Sequence, residues 1–120
     1  MAAPNLINIS SVTGKISGNV LTTANSTLIL NSSTSNSLYK INSVVIANAN
    51  GTSTADITVG LLKNNASTFY ISYTITVPAD STFVAATKDM QLYLEENDSL
   101  YAFASSNNIL HSIVSYDIIR

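Results

Sequence analysis

The chain has 120 residues, 46% of them hydrophobic and only 10% charged, with a net charge of −2 and a pI near 4.9. That length serves one domain with one core, and the hydrophobic share excludes global disorder. The acidic balance leaves no basic stripe to neutralise phosphates, so no nucleic-acid partner is expected, and the absence of cysteine removes disulfides, thiolate metal sites and a cysteine nucleophile.

Residues 1–11 form an N-terminal arm, with Pro4 and an apolar cluster of Leu6, Ile7 and Ile9. The arm has no basic stretch followed by a long apolar run, so no secretory signal is expected. No apolar run in the chain approaches the roughly 18 residues of a membrane helix, and no membrane partner is expected. The remaining 12–120 make the folded domain. Val12 to Ser17 reads as a short strand interrupted by Gly14. Ser26 to Asn31 is a compact apolar strand, followed by a polar loop over Ser32 to Ser37. Tyr39 to Asn48 is rich in β-branched residues, with Ile41, Val45 and Ala47 on one face and Val44 and Ile46 on the other. A strand apolar on both faces is expected to be central and covered on both sides.

Asn50-Gly51 is a hairpin signal, because both residues tolerate positive φ. The next strand, Ala55 to Lys63, alternates Ile57, Val59 and Leu61 against Asp56, Thr58 and Gly60. Asn64-Asn65-Ala66-Ser67 makes a turn into Phe69 to Val77, the cleanest alternation in the chain. Phe69, Ile71, Tyr73, Ile75 and Val77 fall on one face, expected to be buried, and Tyr70, Ser72, Thr74 and Thr76 on the other. Pro78-Ala79-Asp80 ends that strand, since proline cannot donate to a ladder. Thr82 to Thr87 and Gln91 to Leu94 are short strands separated by Lys88-Asp89. Glu95-Glu96-Asn97-Asp98 turns the chain. Ser99 to Ser105 and Ile109 to Ile119 close the domain, expected as a hairpin across Ser106-Asn107-Asn108. Turn signals recur every 8 to 12 residues or so and helical periodicity is nearly absent. The expected fold is all-β, a single sandwich of about eight to nine short antiparallel strands, jelly-roll-like.

Little in this pattern carries chemistry. Glu95, Glu96 and Asp98 are the one acidic cluster. They lack calcium-loop spacing and its glycine, and Asp98 reads as a turn residue accepting backbone N–H groups. His111 is the single histidine, so one chain holds no multi-histidine site. Ser115, His111 and Asp117 supply the residue types of a hydrolytic triad. On one strand, however, His111 and Asp117 stand about 20 Å apart at about 3.3 Å per residue, and no Gly-X-Ser-X-Gly elbow exists. No metal, no cofactor and no enzymatic activity are expected. Six tyrosines (Tyr39, Tyr70, Tyr73, Tyr93, Tyr101 and Tyr116) admit a carbohydrate-binding reading, with Tyr70 foremost because it lies on the polar face of its strand. They equally suit strand packing and protein interfaces. Asn, Ser and Thr fill 45 of the 120 positions. A surface of uncharged hydrogen-bonding groups lacks the charge that keeps small proteins apart, which suits a protein covered in an assembly. The six Asn-X-Ser/Thr sequons, at Asn8, Asn25, Asn31, Asn50, Asn65 and Asn97, follow from that composition and are not expected to be glycosylated.

Several motifs together carry a resemblance. They are the MAAPN opening, Thr13-Gly14-Lys15, the Tyr39 to Asn42 strand leading to Asn48 to Gly51, Val77 to Ser81, Leu94 to Leu100, and Ser115 to Asp117. In these, over nearly its whole length, the chain resembles a family of small β-sandwich virion proteins of tailed bacteriophages, above all marine ones. It departs at Asn97, where the family pattern has glycine; asparagine is the next best residue for a left-handed turn. The motifs punctuate a fold and mark no active site. The resemblance implies a structural virion protein, foremost a head decoration (cement) protein. It would be made in the host cytoplasm and located in the virion, bound to the major capsid protein or another virion protein as a homo-oligomer, a trimer before other states. Leu6, Ile7 and Ile9 of the arm are then the expected assembly contact with a neighbour. The alternative is a tail- or fibre-associated adhesion module that binds carbohydrate.

Overall fold

The computed structural model describes residues 7–120. Nine strands run β1 (Val12–Val20), β2 (Ser26–Leu30), β3 (Leu38–Asn48), β4 (Ala55–Lys63), β5 (Ser67–Val77), β6 (Thr82–Ala86), β7 (Leu92–Leu94), β8 (Ser99–Ala104) and β9 (Leu110–Ile119). One 3-10 turn, Lys88–Met90, separates β6 from β7. The strands form two antiparallel sheets, β1-β9-β3-β6 with β7 also on β3, and β2-β8-β4-β5. β6 and β7 pair with opposite ends of the same edge of β3, so they act as one interrupted strand. Counted that way, eight strands fall into the two four-stranded layers in jelly-roll order. The all-β sandwich expected from alternation is the fold.

The core lies between the layers. Ile41, Val44 and Ile46 of β3 and Val114 of β9 meet Ile57 and Val59 of β4 and Leu100, Ala102 and Ala104 of β8, all essentially without solvent contact. Leu21 and Leu110 close one end and Leu94 is buried on β7. A bulge at Asn42 of β3, between Ile41 and Ser43, restores Ile41 and Val44 to the same inner face; a second, at Ala85, lies on β6 where it pairs with Val44 and Val45 of β3. A strict alternation had set Ile41 and Val44 on opposite faces.

Three expectations fail, for identifiable reasons. Asn50-Gly51 makes no hairpin, since β3 and β4 lie in different sheets and neither residue has positive φ. Instead the Asn50 side-chain oxygen accepts from the N–H groups of Thr52 and Ser53, an Asx turn that carries the chain across the sandwich. β8 and β9 likewise belong to different sheets, so Ser106-Asn107-Asn108 is a crossing and not a hairpin. Among the described residues the one tight hairpin is β4–β5, where Asn64 and Asn65 both take positive φ and Ala66 N–H donates to the Lys63 carbonyl at 3.0 Å.

The third correction concerns β5. The face of Phe69, Ile71, Tyr73, Ile75 and Val77 is not a buried face: Phe69 is 58%, Tyr73 60% and Ile75 40% exposed, and only Val77 is fully buried. β5 is an edge strand, and its register against β4 shifts on both sides of Val59. Ser72, not Ile71 or Tyr73, pairs with Val59 and turns inward. Thr74 takes φ 48° at the irregularity, and its N–H donates to the buried Thr58 hydroxyl oxygen at 3.1 Å.

Candidate assembly surface

The acidic turn is structural. Asp98 is buried, and its carboxylate accepts the N–H groups of Asn64 (2.8 Å) and Glu95 (2.9 Å) and the Lys63 ammonium (2.9 Å). Lys63 also pairs with Glu95. Those hydrogen bonds, Glu95 first and Asp98 second, raise the Lys63 pKa above its ordinary value. Glu96, also buried, accepts the Asn36 N–H at 2.9 Å. Asn97 takes the left-handed conformation, φ 73°, as its place in the pattern required. These carboxylates tie the β4–β5, β2–β3 and β7–β8 turns together.

His111, Ser115 and Asp117 stand on the outer face of β9, spaced along one extended strand. His111 is exposed, between Ala47 of β3 and Val20 of β1. The strand keeps it about 20 Å from Asp117, so no triad forms. Of the tyrosines, Tyr39 and Tyr116 stack against each other at 5.6 Å beside the core. Tyr70 and Tyr73 pack at 4.7 Å on exposed β5. Tyr101 is buried on β8, and Tyr93 is exposed on β7.

The outer face of the β1-β9-β3-β6 sheet is the surface most unlike an ordinary solvent face. One cross-strand row runs Val84, Val45, Ile113, Gly18 over all four strands. The next row is Thr82, Ala47, His111, Val20, and on the other side lies Ser43, Ser115, Ile16. Ile16 is 73% exposed, with Val20, Val84 and Ile113 about half exposed. The one opposed charge pair on this face is Lys40 and Asp117, directly opposite each other toward the β7 end. Among the described residues, none on this face between that pair and His111 is charged. Four strands about 4.8 Å apart and nine residues at about 3.3 Å each make it on the order of 600 Å². Its exposed aliphatic side chains, Ile16, Val20, Val84 and Ile113, cover part of that area, interspersed with Ser and Thr. The two-faced apolar pattern of β3 therefore has one face in the core and the other open. The alternation in the sequence puts Val45 and Ala47 on one face, but β3 is expected from it to be covered on both sides, and this face is open. Sequence reading missed Ile16, Val20, Val84 and Ile113, because the face exists only once four strands distant in sequence lie side by side.

The arm's last residues are tied down: Ser11 N–H donates to the Arg120 carbonyl at 3.1 Å and Arg120 N–H returns to Ser11 at 3.0 Å. Of the three expected contact residues, Ile7 is 95% and Ile9 38% exposed, while Leu6 lies outside the described residues, as does Pro4. No known family model matches the chain, and no curated protein matches it.

Proposed function

We propose that this chain is a structural virion protein of a tailed bacteriophage, a capsid decoration protein that binds the head shell as a homo-oligomer through the outer face of the β1-β9-β3-β6 sheet. The observation that carries the reading is the uncharged aliphatic row Val84, Val45, Ile113 on an open sheet face. Jelly-roll sandwiches serve in viral capsids and lectins alike, so the fold alone does not choose between them; an open face whose centre carries no charge suits burial against another protein. The size of the face argues for several copies acting together. At about 600 Å² it falls short of the roughly 800 Å² per partner of a standard interface. Copies joined in one oligomer bind the same particle with avidity gains of about a hundredfold or more. A trimer, joined through neighbouring arms, fits that need.

The decisive experiment adds purified protein to capsids of its phage that lack it and measures co-sedimentation. Wild type should bind, and mass spectrometry of purified virions should find the chain. Ile113→Lys sets a charge at the centre of the face, on a half-exposed position that the fold does not use. It should fold normally and bind about tenfold more weakly or worse. Undiminished binding would overturn the role of this face, and absence of the chain from virions would overturn the function.

A further inference from the structure

We propose that the outer face of the other sheet, β2-β8-β4-β5, is a binding site for a neutral saccharide. A single cross-strand row, Thr27, Tyr101, Gly60, Tyr70, runs over all four strands. Along it lies a groove of about 250 Å³, lined also by Asn25, Thr68 and Phe103. Gly60 makes the groove possible. The Tyr101 ring lies directly over it, so a Cβ there would come within 2.3 Å of the ring. Glycine inside a strand often marks such a close approach. Tyr101 thus lies down as a floor, with Thr68 and Tyr70 lining the groove beside it. Tyr70 is 55% exposed, and its ring contact with Tyr73 braces it as a wall.

The chemistry of the lining selects the ligand class. A sugar ring offers an apolar C–H face and a rim of hydroxyls. The groove offers aromatic surfaces from Tyr70, Tyr101 and Phe103, and a rim of neutral donors and acceptors from Asn25, Thr27 and Thr68. No lining residue is charged, so nothing there compensates a phosphate or a carboxylate. The volume lies just below the roughly 300–1,000 Å³ of sites for drug-sized ligands, which suits one sugar ring rather than a long chain. The site is on the opposite layer from the proposed capsid-binding face, and it stands whether or not that face binds a shell. On a decorated particle it would point outward.

Amide NMR titration of the full chain tests this. The probes are glucose, galactose, mannose, N-acetylglucosamine and their β-linked disaccharides, with a sialylated trisaccharide and inorganic phosphate as charged controls. At least one neutral sugar should shift the amides of Thr27, Thr68, Tyr70 and Tyr101, with a Kd on the order of 1 mM. The charged controls should not. Tyr70→Ala removes an exposed wall and should weaken binding about fivefold or more. Asn25→Ala, at an exposed loop position, should weaken it without altering the rest of the spectrum. The proposal is overturned if no neutral sugar shifts these amides, if a charged control binds there more tightly, or if both variants bind like wild type.

Discussion

Asp98 and two asparagines show what a chain poor in glycine and charge uses for its turns. Asn31 is fully buried, and its side-chain NH2 donates to the Ser37 carbonyl (3.0 Å) and the Leu94 carbonyl (2.8 Å) while Ser35 donates to its oxygen. Asn48, 4% exposed, donates to the Ser53 and Val77 carbonyls and accepts the Asn50 N–H. Each side chain replaces a stretch of missing ladder at the place where the chain changes sheet. A buried acceptor whose partners remain behind after deletion is costly. Asp98→Ala strands two backbone N–H groups and should lower unfolding stability by roughly 2–4 kcal/mol in urea denaturation. A loss of only a few tenths would mean that solvent reaches this turn. The titrating groups set a second residue-level expectation. Hydrogen bonds to Glu95 and Asp98 raise the Lys63 pKa, and burial, with neighbouring Tyr70 and Tyr39 respectively, raises those of Tyr101 and Tyr116. A folded pKa above the unfolded one means a contribution complete below the ordinary values of 10.5 for Lys63 and 10.0 for the tyrosines, and lost as pH climbs past them. Thermal melts should therefore fall in temperature above about pH 10. Tyr101→Phe with Tyr116→Phe should flatten that decline; an unchanged decline would show that burial of these two phenols is not its source.

At the scale of the element, turns were easier to read than faces. Among the described residues, five of the eight non-glycine residues with positive φ are asparagines, and none of the four glycines has positive φ. Asparagine does here what glycine commonly does, so Asn64-Asn65 and Asn97 were legible as turns. Which strands those turns join was not, because a jelly roll sends most connections across the sandwich and local chemistry does not encode the layer. The β5 misreading has a sharper cause. Period-2 alternation identifies a buried face only where the ladder is regular, and β5 slips twice against β4. Nothing in FYISYTITV announces a bulge, and its Thr74 holds a φ that β-branched residues seldom adopt. The two isoleucines paired across this ladder give a direct check. Ile57 on central β4 has no solvent contact, whereas its partner Ile75 is 40% exposed. Ile57→Ala should cost roughly 2–5 kcal/mol and Ile75→Ala less than about half of that. Equal costs in chemical denaturation would mean that β5 is covered after all.

For the whole molecule, composition spoke to the kind of surface and topology to its place. Low charge and abundant Asn, Ser and Thr suited a covered surface, but the second apolar face of β3 reads in the sequence as covered within the fold and did not point to where. The sheet order then aligned Val84, Val45 and Ile113 into one face. The groove on the opposite sheet was visible in part, since Tyr70 stood out on a polar strand face, while the contribution of Gly60 and Tyr101 needed the register of three strands. The arm is the remaining element of the proposed assembly. Ser10 and Ser11 hydrogen-bond to Arg120, so the chain is anchored just before β1, and Ile7 beyond them is almost fully exposed. Burying the large side chains of Leu6, Ile7 and Ile9 contributes roughly 4–9 kcal/mol in total. Ordering the backbone costs about 1–2 kcal/mol per residue, which cancels that gain over a segment of this length. The arm gains net stability only where it also forms ladder hydrogen bonds, and the sandwich offers them along its edges, β1 among them. Deleting residues 2–9, which leaves the Ser10 and Ser11 anchors in place, should therefore keep the sandwich folded while shifting the oligomer toward monomer and weakening capsid binding. Circular dichroism and analytical ultracentrifugation on the same sample separate the outcomes. A β-rich spectrum with a lower sedimentation coefficient is the expected result. An unfolded truncation would make the arm part of its own domain, and an unchanged oligomer that still binds capsids would remove it from assembly.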